Sequence, residues 1–157
     1  MRRLFVCTAM FLVPLTARAQ ATTDSLAILA VVDSAMARIS HNDFAGLAAL
    51  MIDEGMTYRV ASAGDPMRYG ADSREATAKV VPQQKLTERG FGAEVRISGR
   101  LATVWLPYDF HVDGKWSHCG VDIFTMLKVG AQWRIAVLAW TVEQPPACKP
   151  HPDGPPQ

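Results

Sequence analysis

The chain has 157 residues, of which 49% are hydrophobic, with 16 basic residues against 15 acidic. That length suits one domain with room for a real core. With near-balanced charge and no basic run, nothing in the sequence points to a nucleic-acid-binding face or a polybasic membrane patch, and neither is expected.

At the N-terminus, Arg2 and Arg3 precede a short apolar run, Leu4 to Leu15, and Ala17-Arg18-Ala19 forms an A-x-A site. This is the pattern of a cleaved export signal over residues 1–19. The apolar run falls short of the roughly 20 residues that a bilayer span needs. The mature chain is expected to begin near Gln20, to be secreted or periplasmic, and to carry no membrane span after cleavage. Loss of Arg2, Arg3 and Arg18 leaves 13 basic residues against 15 acidic, a formal charge of −2. Cys7 leaves with the signal, so Cys119 and Cys148 remain. In an oxidising compartment they are expected to form a disulfide, with two free thiols as the alternative. No His or Cys spacing matches a zinc site, so no metal is expected.

Asp24 to Ser40 reads as a helix capped by Thr23 or Asp24, with Leu26, Leu29, Val32, Met36 and Ile39 at helical spacing. His41-Asn42 breaks it, and Asp43 caps a second, short helix to about Met51. Met56 to Ala61 alternates as a strand. Residues 62–72, with two glycines and a proline, read as a loop. Ser73 caps a third helix that stops by Val81, before Pro82. Lys85–Phe91 and Ala93–Ser98 are candidate strands, joined onward by a Gly99-Arg100 turn. Leu101–Val112, Lys115–Lys128 and Trp133–Val142 are long and rich in β-branched and aromatic residues. Asp113-Gly114 is the strongest hairpin signal in the chain, suited to a type I′ turn, and Gly130-Ala131 is a second turn. Residues 144–157 are Pro-rich and polar and read as a disordered tail, tied down at most as far as Cys148. The domain proper is 20–143.

Two helices, a strand, a third helix and then a long antiparallel sheet resemble the nuclear transport factor 2-like superfamily. The resemblance is carried by Tyr108-Asp109-Phe110, Asp113-Gly114-Lys115, His118-Cys119-Gly120-Val121-Asp122 and Gln132-Trp133-Arg134-Ile135. It covers about Ser25 to Val142. The superfamily includes ketosteroid isomerase, scytalone dehydratase and polyketide cyclase-like (SnoaL-like) proteins. The nearest likeness is to exported bacterial members of the lumazine-binding type. The resemblance implies an α+β fold: a cone-shaped, strongly curved antiparallel sheet wrapped around N-terminal helices, the cystatin-like roll, with a pocket at its open end. It implies no particular activity.

A two-residue turn at Asp113-Gly114 sets a register. It pairs His111 with Trp116, Asp109 with His118, Pro107 with Gly120 and Trp105 with Asp122, all on one face. The other face carries Val104, Leu106, Tyr108 and Phe110, and the second turn adds Leu138 and Trp140 to it by placing Trp140 opposite Val121. A bulge in either strand would swap faces. In this register Asp109 and His118 are close enough for a carboxylate–imidazole pair that could act as a general base, with Asp122 as a second acid or base. The alternative is that this face is simply solvent-exposed, or that its tryptophans mark a homodimer interface. Tyr58, Trp105, Tyr108 and Trp140 are the candidate pocket residues. Tyr58 is available as a hydrogen-bond donor, or is otherwise a core aromatic.

No glycine-rich phosphate loop, nucleophile elbow or metal-binding helix motif occurs, so no cofactor is expected. Three functions stay open. The leading one is a protein that binds a small apolar or aromatic molecule. The others are a cofactor-independent isomerase or lyase using His118, Asp109 and Asp122, and a dimeric interaction module without ligand.

Overall fold

A computed structural model describes residues 15–61 and 69–156, with side chains from residue 22 onward. The expected export signal lies outside the described residues up to residue 14, as do residues 62–68 of the expected loop. The elements in chain order are α1 (Leu15–Ser40), α2 (Phe44–Ala49), β1 (Met51–Ala61), β2 (Tyr69–Ser73) and α3 (Arg74–Ala78). Then come β3 (Leu86–Gly90), β4 (Glu94–Ser98), β5 (Leu101–Val112), β6 (Lys115–Val129) and β7 (Gln132–Val142).

The expected helices and strands are all present, most with shifted ends, but residues 69–72 of the expected loop belong to strand β2, which pairs with β1. Helix α1 runs through Asp24, which is therefore not a cap. Its carboxylate instead accepts hydrogen bonds from Lys128 Nζ at 2.5 Å and Trp133 Nε1 at 3.1 Å, tying the helix to β6 and β7. The buried stripe of α1 is Ile28, Val32, Ala35, Met36 and Ile39. Leu26, expected in that stripe, is 65% exposed. Two residues from Ile28 is about 200° around a helix, which turns Leu26 to the far side. The α1 stop is fixed by Asn42, whose positive φ of 57° reverses the chain. Asn42 also bridges to the start of β3, donating to Gln84 O and accepting from Leu86 N. Asp43 and Ser73 cap α2 and α3 as expected, accepting from Gly46 N and Ala76 N.

The sheet has seven strands in the order β2-β1-β7-β6-β5-β3, with β4 pairing the other half of β5. All neighbours are antiparallel except β1 and β7, which run parallel, so the sheet is mixed where an antiparallel one was expected. The β5–β6 turn has positive φ at Asp113 (51°) and Gly114 (73°), as a type I′ turn requires. Helix α1 lies across the concave face, and the core forms between its stripe and Val104, Phe124, Met126 and Ile135 of the central strands.

Two β-bulges correct the register read from the turns. In the first hairpin the pairs are His111–Trp116 and then Phe110–His118, so Ser117 is the extra residue. In the second, Met126 pairs Ile135 and Thr125 pairs Val137, so Ala136 is extra. Beyond each bulge the pairing moves by one. Asp109 sits opposite Cys119 rather than His118, and Trp140 sits opposite Asp122 rather than Val121.

The tail also differs from expectation. Cys148 forms the disulfide with Cys119. Beyond it the chain keeps close to the outer face: His151 N donates to Asp109 Oδ2 at 3.1 Å, and Arg89 donates to Gly154 O at 2.7 Å. Buried polar groups of the sheet thus give the proline-rich segment partners that its composition did not reveal.

Candidate functional site

The bulge at Ser117 decides which side chains meet. It moves His118 and Asp122 onto the face of Leu106, Tyr108 and Phe110, since those three pair with Asp122, Gly120 and His118. The second bulge brings Leu138 and Trp140 to the same face. These residues, with Phe44 and Leu47 of α2, line a cavity of about 340 Å³. That lies at the small end of the range for ligand sites, about 300–1,000 Å³.

His118 is held on three sides. Its ring stacks on Phe110 at 4.8 Å between centroids and meets Tyr108 edge-on at 5.7 Å. Nδ1 lies 2.9 Å from Ser117 Oγ. Burial, reinforced by the positive charge of Arg59, lowers its pKa to about 4. The imidazole is therefore neutral at pH 7. Asp122 is 3% exposed, and its Oδ2 has no hydrogen-bond partner. Burial and the nearby Glu88 raise its pKa well above the usual carboxylate range. Glu88 enters the same cavity from β3, and burial raises it to about 8. Its backbone is fixed by Ser40 Oγ, which accepts from Glu88 N at 2.9 Å and donates to Glu88 O at 3.0 Å. Arg59 and Asp72, both exposed, stand at the edge of the cavity.

Tyr108 lines the cavity with its ring only, because its hydroxyl donates to Thr141 O at 2.7 Å. Trp140 also lines it. Tyr58 and Trp105 do not. Tyr58 falls between Thr57 and Arg59, which both face inward, so strand alternation sends it outward. Trp105 is 49% exposed and pairs with Glu94 and Ile123.

Asp109 is corrected in the same way. It lies on the outer face, 1% exposed, gripped by the guanidinium of its strand partner Arg89 at 3.0 and 2.6 Å. With one oxygen also accepting from His151 N, its role is structural and it takes no part in the cavity. Glu88 and Arg59 were not singled out from the sequence. Their signal was faint: Glu88 is the charged residue between Leu86 and Gly90 on the inward phase of β3, visible only once that strand is paired with Phe110. Among the described residues, no group of three or more His, Cys, Asp or Glu side chains is arranged to hold a metal ion.

No protein-family model matches the chain, and comparison with curated proteins gives no match. Solved structures do match. An NTF2-like protein with a cystatin-like fold from Novosphingobium aromaticivorans aligns over 82% of this chain and 87% of its own, with a TM-score of 0.64 and 17% identity. The chain has the nuclear transport factor 2-like fold. A proposed scytalone dehydratase from the same bacterium shares this fold, with a TM-score of 0.60 and 13% identity over 81% of this chain and 89% of its own. So does the β subunit of a proposed aromatic-ring-hydroxylating dioxygenase, with a TM-score of 0.67 and 13% identity over 80% and 92%. At such identities the likeness is one of fold, and the nuclear transport factor 2-like fold hosts several chemistries.

Proposed function

We propose that this protein is exported and binds a small, uncharged molecule with an apolar or aromatic body in the cavity. The observation that carries the reading is Asp122 Oδ2, buried without a partner in a cavity whose apolar lining includes Tyr108, Phe110, Leu138 and Trp140. An unmet buried polar atom costs about 1–3 kcal/mol, and a ligand oxygen or nitrogen placed there would offset it. Charge supports the same class of ligand. With His118 neutral and burial favouring the protonated forms of Glu88 and Asp122, the interior carries little net charge at pH 7. The N-terminal leader pattern and the Cys119–Cys148 disulfide support export.

One arrangement favours a second reading, a cofactor-independent isomerase or lyase. A neutral imidazole, His118, and carboxyls held protonated, Asp122 and Glu88, open onto one cavity. A base and an acid whose environments push their pKa values apart are the parts such chemistry needs. Asp109 has no share in it.

Calorimetric titration with 2-naphthol and with its anionic analogue 2-naphthoate tests the proposal. The naphthol is expected to bind, the naphthoate about tenfold or more weakly, and Asp122→Leu should weaken naphthol binding by about tenfold while leaving the fold intact. A wild-type chain that binds neither compound, or an Asp122→Leu variant that binds as well as wild type, would sink the reading.

A further inference from the structure

The bulge that brings His118 into the cavity has an alternative position one step away. If Cys119 rather than Ser117 were the extra residue, Phe110 would pair with Ser117 and Asp109 with His118. Every other pair in the hairpin, from His111–Trp116 to Tyr108–Gly120, would stay as observed. That alternative extends the regular register set by the Asp113-Gly114 turn, and it puts His118 on the outer face.

The segment after β7 grips the strand on both sides of the choice. Gln144 Nε2 donates to Ser117 O at 2.6 Å, while Gln144 Oε1 accepts from Trp116 Nε1 at 3.2 Å. One residue earlier, Glu143 exchanges both backbone hydrogen bonds with Cys119, at 3.1 and 2.8 Å. Cys119, fully buried, is then joined covalently to Cys148. Further along, His151 N donates at 3.1 Å to the Asp109 oxygen that Arg89 also holds, so the tail covers the outer-face position that His118 would otherwise share. Ser117 itself turns its hydroxyl onto His118 Nδ1.

We propose that Ser117, Gln144 and the Cys119–Cys148 disulfide are positioning groups that lock the bulge at Ser117 and so keep His118 in the ligand cavity. Without the lock the extra residue shifts to Cys119, and His118 turns out to face Asp109 and Arg89. The inference adds regulation to the proposed ligand site and rests on that reading for its consequence. The placement of His118 can be tested without any ligand.

The test is an NMR titration of His118 in the oxidised wild type and in the double variant Cys148→Ser/Gln144→Ala. In the wild type, the His118 ring packs on Tyr108 and Phe110 of β5, shares the cavity with Asp122 of β6, Glu88 of β3, Arg59 of β1 and Asp72 of β2, and should titrate at about 4. In the variant it should leave that setting and titrate at or above the ordinary value of about 6.5. Dithiothreitol acting on Gln144→Ala should give the same shift, because reduction adds two electrons and two protons to the disulfide and leaves two thiols. A general loss of stability would lower the melting temperature without moving this midpoint in the folded state. The proposal is overturned if His118 keeps its wild-type midpoint in the folded variant. It is equally overturned if both the variant and the reduced protein unfold as a whole, since the disulfide would then be a staple for the entire domain. A wild-type chain that binds no probe would sink the ligand reading and leave this result standing.

Discussion

Glu88 shows how burial becomes a pH-dependent stability. Its carboxyl titrates near 8 in the folded chain against 4.5 ordinarily. The fold thus favours the protonated form, and the stability this supplies is complete below about 4.5 and lost as pH rises to about 8. Asp122 works in the same direction. His118, lowered from 6.5 to about 4, works oppositely: its contribution is present above 6.5 and is lost as pH falls through that window. Above pH 6.5 the carboxyls therefore act alone among these three. Thermal melts between pH 6.5 and 8 should show the wild type losing stability, and Glu88→Gln should remove most of that slope, on the order of a few kcal/mol over the full titration. An unchanged slope in Glu88→Gln would mean that the carboxyl is not held protonated. At this scale the sequence was only partly readable. His118, Asp122, Tyr108 and Trp140 were singled out as site or pocket candidates and do share one cavity, but Asp109, Tyr58 and Trp105 belong to the outer face. Residue type marks a group as capable of chemistry; the face on which it lands depends on register, which is a property of two strands together.

Strands and turns were the most legible elements, because long β-branched and aromatic runs and an Asp-Gly turn carry their own physical instructions. Strand β5 has the bounds read from the sequence, Leu101–Val112. The bulges were not legible. One extra residue leaves no trace in composition, and Ser117 and Ala136 are small enough to sit on either face. What fixes them is contact with other elements. Gly120 is one such contact: a Cβ there would collide with the carbonyl oxygen of Thr141. The strand cannot easily move away, since Tyr108 Oη donates to Thr141 O and Val121 N donates to Thr141 Oγ1. Gly120→Ala is therefore expected to destabilise the protein by about 1–3 kcal/mol in urea unfolding. A loss below about 0.5 kcal/mol, the size of an ordinary surface change, would show that β6 and β7 do not approach so closely.

The whole molecule is a curved sheet whose concave face is filled by α1 toward one end and left open toward the other. This architecture was readable through element order, and the disulfide through the pairing of the two cysteines in the domain and tail. The parallel pairing of β1 with β7 and the docking of the tail were not, because both join distant parts of the chain. Taken together, the outer face is held by the Arg89–Asp109 pair and the tail, while the inner face keeps its titratable groups for the cavity. The central claim is that His118 belongs to that inner face. A NOESY spectrum of the oxidised protein tests it most directly. The account predicts cross-peaks from the His118 ring to the rings of Phe110 and Tyr108, with His118 paired across the strands to Phe110. A cross-strand Hα–Hα peak between His118 and Asp109, with no contact from the His118 ring to Phe110 or Tyr108, would contradict it.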